Sequence, residues 1–271
     1  MLSDLWKMTN YRTPIKFIIN QYIREYDLSK ANINALLYTK RISQEEYDRL
    51  YSLDKNTREV TIGLKIQKDP SIYTSISTGI IEGKRRLFLS NELEDINIVS
   101  IKNDAVFVVH KDLLYTEFPP FIFNVKNTYT SYIQLSELEV YYSDQYTRDG
   151  ILNTHIDIKG ISDKNIPLHT NGMLDVICNT CHMLQRDDAY EAGQYLMDIY
   201  DKYVHRVLPV NYYRTFDADS SYQFHSFTHT MRLDHIDESM LRSLDINRNL
   251  TILRELLHIV IYMYHNRKRF G

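Results

Sequence analysis

The sequence predicts an α+β fold, with a mixed first half, a sheet near the middle and a helical C-terminal third. Three observations predict it. The stretch "IVSIKNDAVFVV", residues 98–109, reads as two apolar strands that meet at a polar tip. Residues 121–161 carry β-branched and aromatic runs in "FIFNVKNTYTSYIQL", "LEVYY" and "THIDIKGI". From Asn171 onward, apolar residues recur at helical spacing in "MLDVICNTCHMLQ", "DAYEAGQYLMDIYDKYVHRVL" and the segment beginning near Asn249. Strands and helices segregated in this way belong to an α+β fold and not to an alternating one.

Taken in order, residues 15–27 hold an apolar run, "IKFIINQYI", that ends in "REYD". Ile33, Leu36 and Leu37 then make a short helical stripe. Ser43 with Glu46 three residues on is a capping box, so a helix is expected to start there. Residues 56–68 read as a further helix, which Pro70 stops. Ile72, Ile76, Ile80 and Leu87 give the next stretch near-helical spacing. Asp149-Gly150 is a turn signal between two of the later strands. Residues 1–165 are therefore expected to form the mixed region and 166–271 a helical region packed on it, either as two domains or as one.

With 271 residues, 44% apolar and 25% charged, the chain has the balance of an ordinary globular protein. A formal charge of −3 points by itself to neither nucleic acid nor membrane, which leaves only local basic faces as candidates. The N-terminal stretch lacks the apolar core of a signal peptide. No apolar run reaches the roughly 18 residues needed to cross a bilayer. With only two cysteines, close in sequence, the expectation is a cytoplasmic protein without a membrane partner. The 22 tyrosines and the richness in Ile, Asn and Lys suit an AT-rich genome, and so a low-GC bacterium or one of its phages. No Gly-x-x-x-x-Gly-Lys-Ser/Thr, Gly-x-Gly-x-x-Gly or Gly-x-Ser-x-Gly pattern occurs, which argues against P-loop, Rossmann and α/β-hydrolase chemistry.

Two aspartates stand out by their setting. Asp27 opens "DLSKANINALL", where a predicted apolar segment gives way to a helix, and Asp104 sits at the tip of the 98–109 hairpin. The first segment resembles the first palm motif of family A DNA polymerases, roughly Asp-Tyr-Ser-Gln-Ile-Glu-Leu-Arg-x-Leu. Asp27, Ser29, Ile33 and Leu36 fall on matching places, whereas Asn32 stands where the family has Glu and Asn34 where it has Arg. The hairpin resembles the third palm motif, whose tip reads His-Asp-Glu, with Asn103, Asp104 and Ala105 at those positions. The family's second motif has an Arg, a Lys about four residues on and a Tyr-Gly. Here Arg58 and Lys65 are the nearest residues, at a different spacing and without Tyr-Gly, and Lys84 and Arg85 form another basic group. With 26 residues before Asp27, neither a thumb nor an exonuclease domain is expected ahead of such a palm. The resemblance covers residues 15–110 at most.

The resemblance implies a reduced palm in a phage replication-associated protein. Asp27 and Asp104 would then hold Mg²⁺, with Arg58, Lys65, Lys84 and Arg85 as phosphate or nucleic-acid contacts, for nucleotidyl transfer to a DNA or RNA 3′ end. The physical basis is that phosphoryl transfer gathers negative charge. Hard divalent cations held by carboxylates neutralise that charge. The alternative stays open: a strand-ending Asp beside Ser29 is a common helix cap, and Lys-Asn-Asp is a common turn. In that case the protein is a non-catalytic phage accessory module that binds a host or viral protein complex through its helical C-terminal third.

Other signals are weaker. "CNTCH", residues 178–182, matches the haem-attachment pattern, but Cys178 and Cys181 also fall on one helix face, as buried thiols do. Cys178 and Cys181 with His225 and His229 are a candidate zinc set, with an unusually long gap between the pairs. Lys126, Tyr129, Tyr132 and Lys159 are candidates to line a single-strand groove on the sheet. "DIKGI", residues 157–161, resembles a segment that follows the catalytic hairpin in family B polymerases. The basic end "YHNRKRFG" suits a helix terminus and is also a candidate phosphate or acidic-partner contact.

Overall fold

A computed structural model describes residues 2–146, 152–160, 172–214 and 246–266. The fold is α+β. Tertiary contacts divide it into two compact units, one of residues 1–14 and 22–128, the other of residues 15–21 and 129–271. The division thus falls at 128/129, and the strands beyond it group with the C-terminal helices, where the sequence suggests a boundary near 165.

In the first unit, β1 (Asn10–Arg12) pairs antiparallel with β3 (Ile98–Lys102), and β3 pairs antiparallel with β4 (Ala105–Val109). β4 in turn pairs antiparallel with the last residues of β2 (Phe17–Leu28). The short β5 (Glu117–Phe118) pairs with the start of β6 (Phe121–Leu135). The expected hairpin is present, and Asn103 takes the left-handed backbone of its two-residue tip at φ 55°. β4 is buried along its whole length, which explains why its sequence is an unbroken apolar run and does not alternate.

Four helices lie between β2 and β3: α1 (Ala31–Tyr38), α2 (Gln44–Tyr51), α3 (Lys55–Lys68) and α4 (Ser71–Ser90). Ser43 caps α2 by accepting from the Glu46 N–H, as its spacing predicts, and Asp54 caps α3 by accepting from Thr57. α1 and α4 touch closely at Gly79, where an added Cβ would lie 2.5 Å from the Ala35 Cβ. Tyr26, Leu28, Leu87, Phe88, Ile101, Val106, Val108 and Phe121 form the core beneath the sheet. Ile33, Leu36, Leu50, Ile62 and Ile76 form the core among the helices.

In the second unit, β7 (Leu138–Tyr146) pairs antiparallel with the end of β6 and with β8 (Leu152–Lys159). Three helices, α5 (Gly172–Gln185), α6 (Ala189–Val204) and α7 (Ile246–Asn266), pack on one sheet face. Ile133, Leu138, Val140 and Ile158 on that face meet Val176, Ile177, Leu196, Leu253 and Leu256. Both cysteines are free. Cys181 is buried in this core, and burial pushes its thiol well above the usual range. Half-buried Cys178 is pushed up to about 12 for the same first reason. Both therefore behave as packing thiols. The Asp149-Gly150 turn, His225, His229 and the last five residues of the basic end lie outside the described residues. Among the described residues, no helix is long and apolar enough to cross a membrane.

Candidate functional site

Asp27 lies one residue before the end of β2, opposite Ala105 of β4, so the strand pairing sets it beside the hairpin tip. The Leu28 N–H donates to the Asp104 carbonyl at 3.3 Å, which ties the end of β2 to that tip. The Ser29 N–H donates to the Ile122 carbonyl at 2.8 Å. Asn34 then locks the turn into α1: its amide donates to the Ser29 carbonyl at 2.6 Å, and its oxygen accepts from the Tyr47 hydroxyl at 2.8 Å. Lys30 occupies the N-cap position of α1 in a left-handed conformation, and its side chain makes no capping hydrogen bond. The N-cap position thus falls on Lys30 and on neither Asp27 nor Ser29.

Both carboxylates line one cavity of about 660 Å³ in the first unit. Burial, then the neighbouring Asp27 charge, pushes the Asp104 carboxyl above its ordinary range, against the pull of its own backbone N–H, Lys126 and Lys84. The α3 cap Asp54 is shifted the opposite way, held below the usual range by the hydrogen bond from Thr57. Two carboxylates set close enough to repel, one of them partly desolvated, make a site whose electrostatic cost a cation relieves.

The basic candidates separate into two groups. Arg58 is buried on the cavity wall, and one of its N–H groups donates to the Leu53 carbonyl at 3.1 Å. Lys84 is fully buried in α4, where it donates to the Met8 carbonyl. Burial lowers its ammonium to about 8, although Asp104 attracts it, so Lys84 acts on Asp104 electrostatically without being part of the cavity lining. Lys65 and Arg85 do not line the cavity either. Lys65 pairs with Glu46 at 2.5 Å, and Arg85 meets Glu82 with two N–H groups at 2.7 and 3.0 Å.

Three other cations reach the cavity; Lys30 and Lys55 carry little signal in the sequence, whereas Lys126 is read there as a groove residue. Lys30, Lys55 and Lys126 join Arg58 on the wall. Lys126 lies 3.5 Å from Glu25, a carboxylate only 2% exposed that also accepts from the Asn127 amide at 2.6 Å. Glu25 and Asp27 share a face of β2 by their two-residue spacing, as Asn124 and Lys126 do on β6. That alternation is the signal that links them. The Tyr129 and Tyr132 rings do not line an open groove. Both are fully buried in the second unit, where Tyr129 donates to Asp157 at 3.0 Å and Lys159 pairs with Asp157 at 2.7 Å.

The chemistry of the donor set suits a divalent cation. Asp27 and Asp104 offer hard oxygens, as magnesium requires, and magnesium keeps waters and takes further oxygens from phosphates. Two carboxylates beside several cations fit that pattern. Among the described residues, no group of three His, Cys, Asp or Glu side chains is placed to hold a metal ion, and the candidate zinc set of Cys178, Cys181, His225 and His229 extends beyond those residues.

A protein-family model described as "Bacteriophage PBS1 gene 130 protein" matches residues 1–262. No curated protein matches the chain.

Proposed function

The chain belongs to the bacteriophage PBS1 gene 130 protein family, and from that premise we propose that it is a phage replication-associated protein whose first unit binds a phosphate-bearing substrate, nucleic acid or nucleotide, with Mg²⁺, for nucleotidyl transfer. The observation that carries this reading is the shared cavity of Asp27 and Asp104, one on a strand and one on the adjoining hairpin tip, with four cations on its walls. In this reading Asp27 and Asp104 hold the cation, and Arg58, Lys30, Lys55 and Lys126 receive phosphate oxygens. When bound, the divalent cation neutralises charge that gathers on the phosphate. Rigid strands would keep the two carboxylates in place while a substrate enters, so little reorganisation is needed. The resemblance of residues 15–110 to the palm of family A polymerases supports the same reading.

The test is binding of a labelled oligonucleotide with and without Mg²⁺, across a salt series, for wild type, Asp27→Asn and Asp104→Asn. Binding that strengthens with Mg²⁺ in wild type alone supports the reading. Weak binding indifferent to Mg²⁺ and to both substitutions sinks it.

A second reading is a non-catalytic accessory module that docks on a protein complex. The observation that favours it is an apolar groove of about 330 Å³ between α6 and α7, flanked by exposed Tyr190, Met197, Ile261 and Tyr264. Exposed aromatics and methionine are what interface cores are made of. The same oligonucleotide experiment separates the two readings.

A further inference from the structure

Lys126 sits among carboxylates. Its ammonium is 3.5 Å from Glu25, it attracts Asp104, and its side chain lines the cavity that Asp27 and Asp104 share. Its two sides differ in freedom. Glu25 is 2% exposed and is also held by Asn127 at 2.6 Å, whereas the Lys126 side chain is 55% exposed. A buried acid thus holds a cation that is more than half exposed on the cavity side. The two lie on adjacent turns of alternation from the aspartate pair: Glu25 two residues before Asp27 on β2, and Lys126 two residues after the cavity-lining Asn124 on β6.

We propose that Lys126 is the resident counter-cation of the Asp27–Asp104 pair, a positioning residue that competes with an incoming divalent cation and turns to the phosphate side once that cation is held. The proposal rests on the magnesium–phosphate reading of this cavity and adds a role that the reading does not require. Like charges cannot share one carboxylate pair without loss, so a lysine that neutralises the pair lowers its affinity for a metal ion. The same lysine adds a charge-assisted hydrogen bond once a phosphate is present. One side chain therefore acts in opposite directions on two ligands, which a merely structural residue does not.

The experiment is calorimetric titration of the full chain with Mn²⁺ alone, then with inorganic tripolyphosphate in the presence of Mn²⁺. Lys126→Met is expected to bind Mn²⁺ about two- to fivefold more tightly, the size of a partly exposed charge pair. It is expected to bind tripolyphosphate about tenfold more weakly, the size of one hydrogen bond to a charged group. Lys126→Arg keeps the charge and should keep the wild-type Mn²⁺ affinity. Glu25→Gln removes the competing acid, leaves Lys126 nearer the aspartates and should weaken Mn²⁺ binding. Lys126→Met that weakens both ligands, or changes neither, overturns the proposal while leaving the cavity reading intact. If wild type binds no Mn²⁺ that Asp104→Asn abolishes, the cavity reading itself fails and the proposal falls with it.

Discussion

Asp104 is held above its ordinary range by burial and by Asp27, and that direction has a consequence for stability. The folded chain holds this proton more tightly than the unfolded chain, so stability falls as pH rises from the ordinary carboxylate range through the raised one. Asp104→Asn should therefore leave the melting temperature at pH 7 unchanged or raised, while removing Mn²⁺ binding. A clear drop would mean that the carboxylate stabilises the turn after all. Lys84 works with the opposite sign. Its ammonium is lowered to about 8 by burial, so the unfolded chain binds the proton more tightly between that value and the ordinary lysine range. Wild-type stability should rise across pH 8–10, at most about 1.4 kcal/mol per pH unit for one proton. Lys84→Met should abolish that rise, as denaturant unfolding at several pH values would show.

At the scale of elements, two glycines in neighbouring helices should respond in opposite ways. Gly79 in α4 faces Ala35 of α1, and a Cβ there would stand 2.5 Å from the Ala35 Cβ and 2.6 Å from its Cα. Gly79→Ala must push the helices apart, at a cost of about 1–3 kcal/mol. Gly63 in α3 has nothing within 4 Å of an added Cβ, and its backbone is helical. Gly63→Ala should stabilise by about 0.5–1 kcal/mol, because alanine loses less chain entropy in a helix. Urea unfolding of the two variants checks both signs. A Gly79→Ala chain as stable as wild type would show that α1 and α4 can shift freely. These helices carry Asn34, whose hydrogen bonds lock the turn after Asp27, so loosening α1 should also weaken Mn²⁺ binding.

For the molecule as a whole, the proposed function predicts a ligand-dependent stability. If the cavity binds a Mg²⁺–triphosphate, a ligand concentration a hundredfold above Kd should add about 2.7 kcal/mol to the unfolding free energy of wild type. Asp27→Asn should show none of that gain, and thermal melts with and without ligand would read it. The division into two compact units also bears on which contacts the sequence reveals. The 98–109 hairpin was legible because two apolar runs flank a turn-forming Lys-Asn-Asp, and every part of that signal is local. The capped start of α2 was legible for the same reason, through Ser43 and Glu46. The strand character of the residues before Asp27 was less plain, since β2 buries its two ends differently and its alternation is broken. Lys65 and Arg85 looked like phosphate contacts because sequence shows charge but not the acid that answers it. Glu46 and Glu82 answer theirs.

By itself the sequence determined the α+β class, the hairpin with an aspartate at its tip, the capped start of α2 and the helical character of the described residues of the final third. Each depends on periodicity or turn chemistry among residues close along the chain. Only the tertiary structure decided that Asp27 and Asp104 face one cavity, that Lys126 and not Lys65 stands beside them, and that Tyr129 and Tyr132 are core. Those outcomes depend on which strand pairs with which, and the pairing of β2 with β4 sets Asp27 opposite Ala105 through backbone hydrogen bonds that carry little side-chain signal.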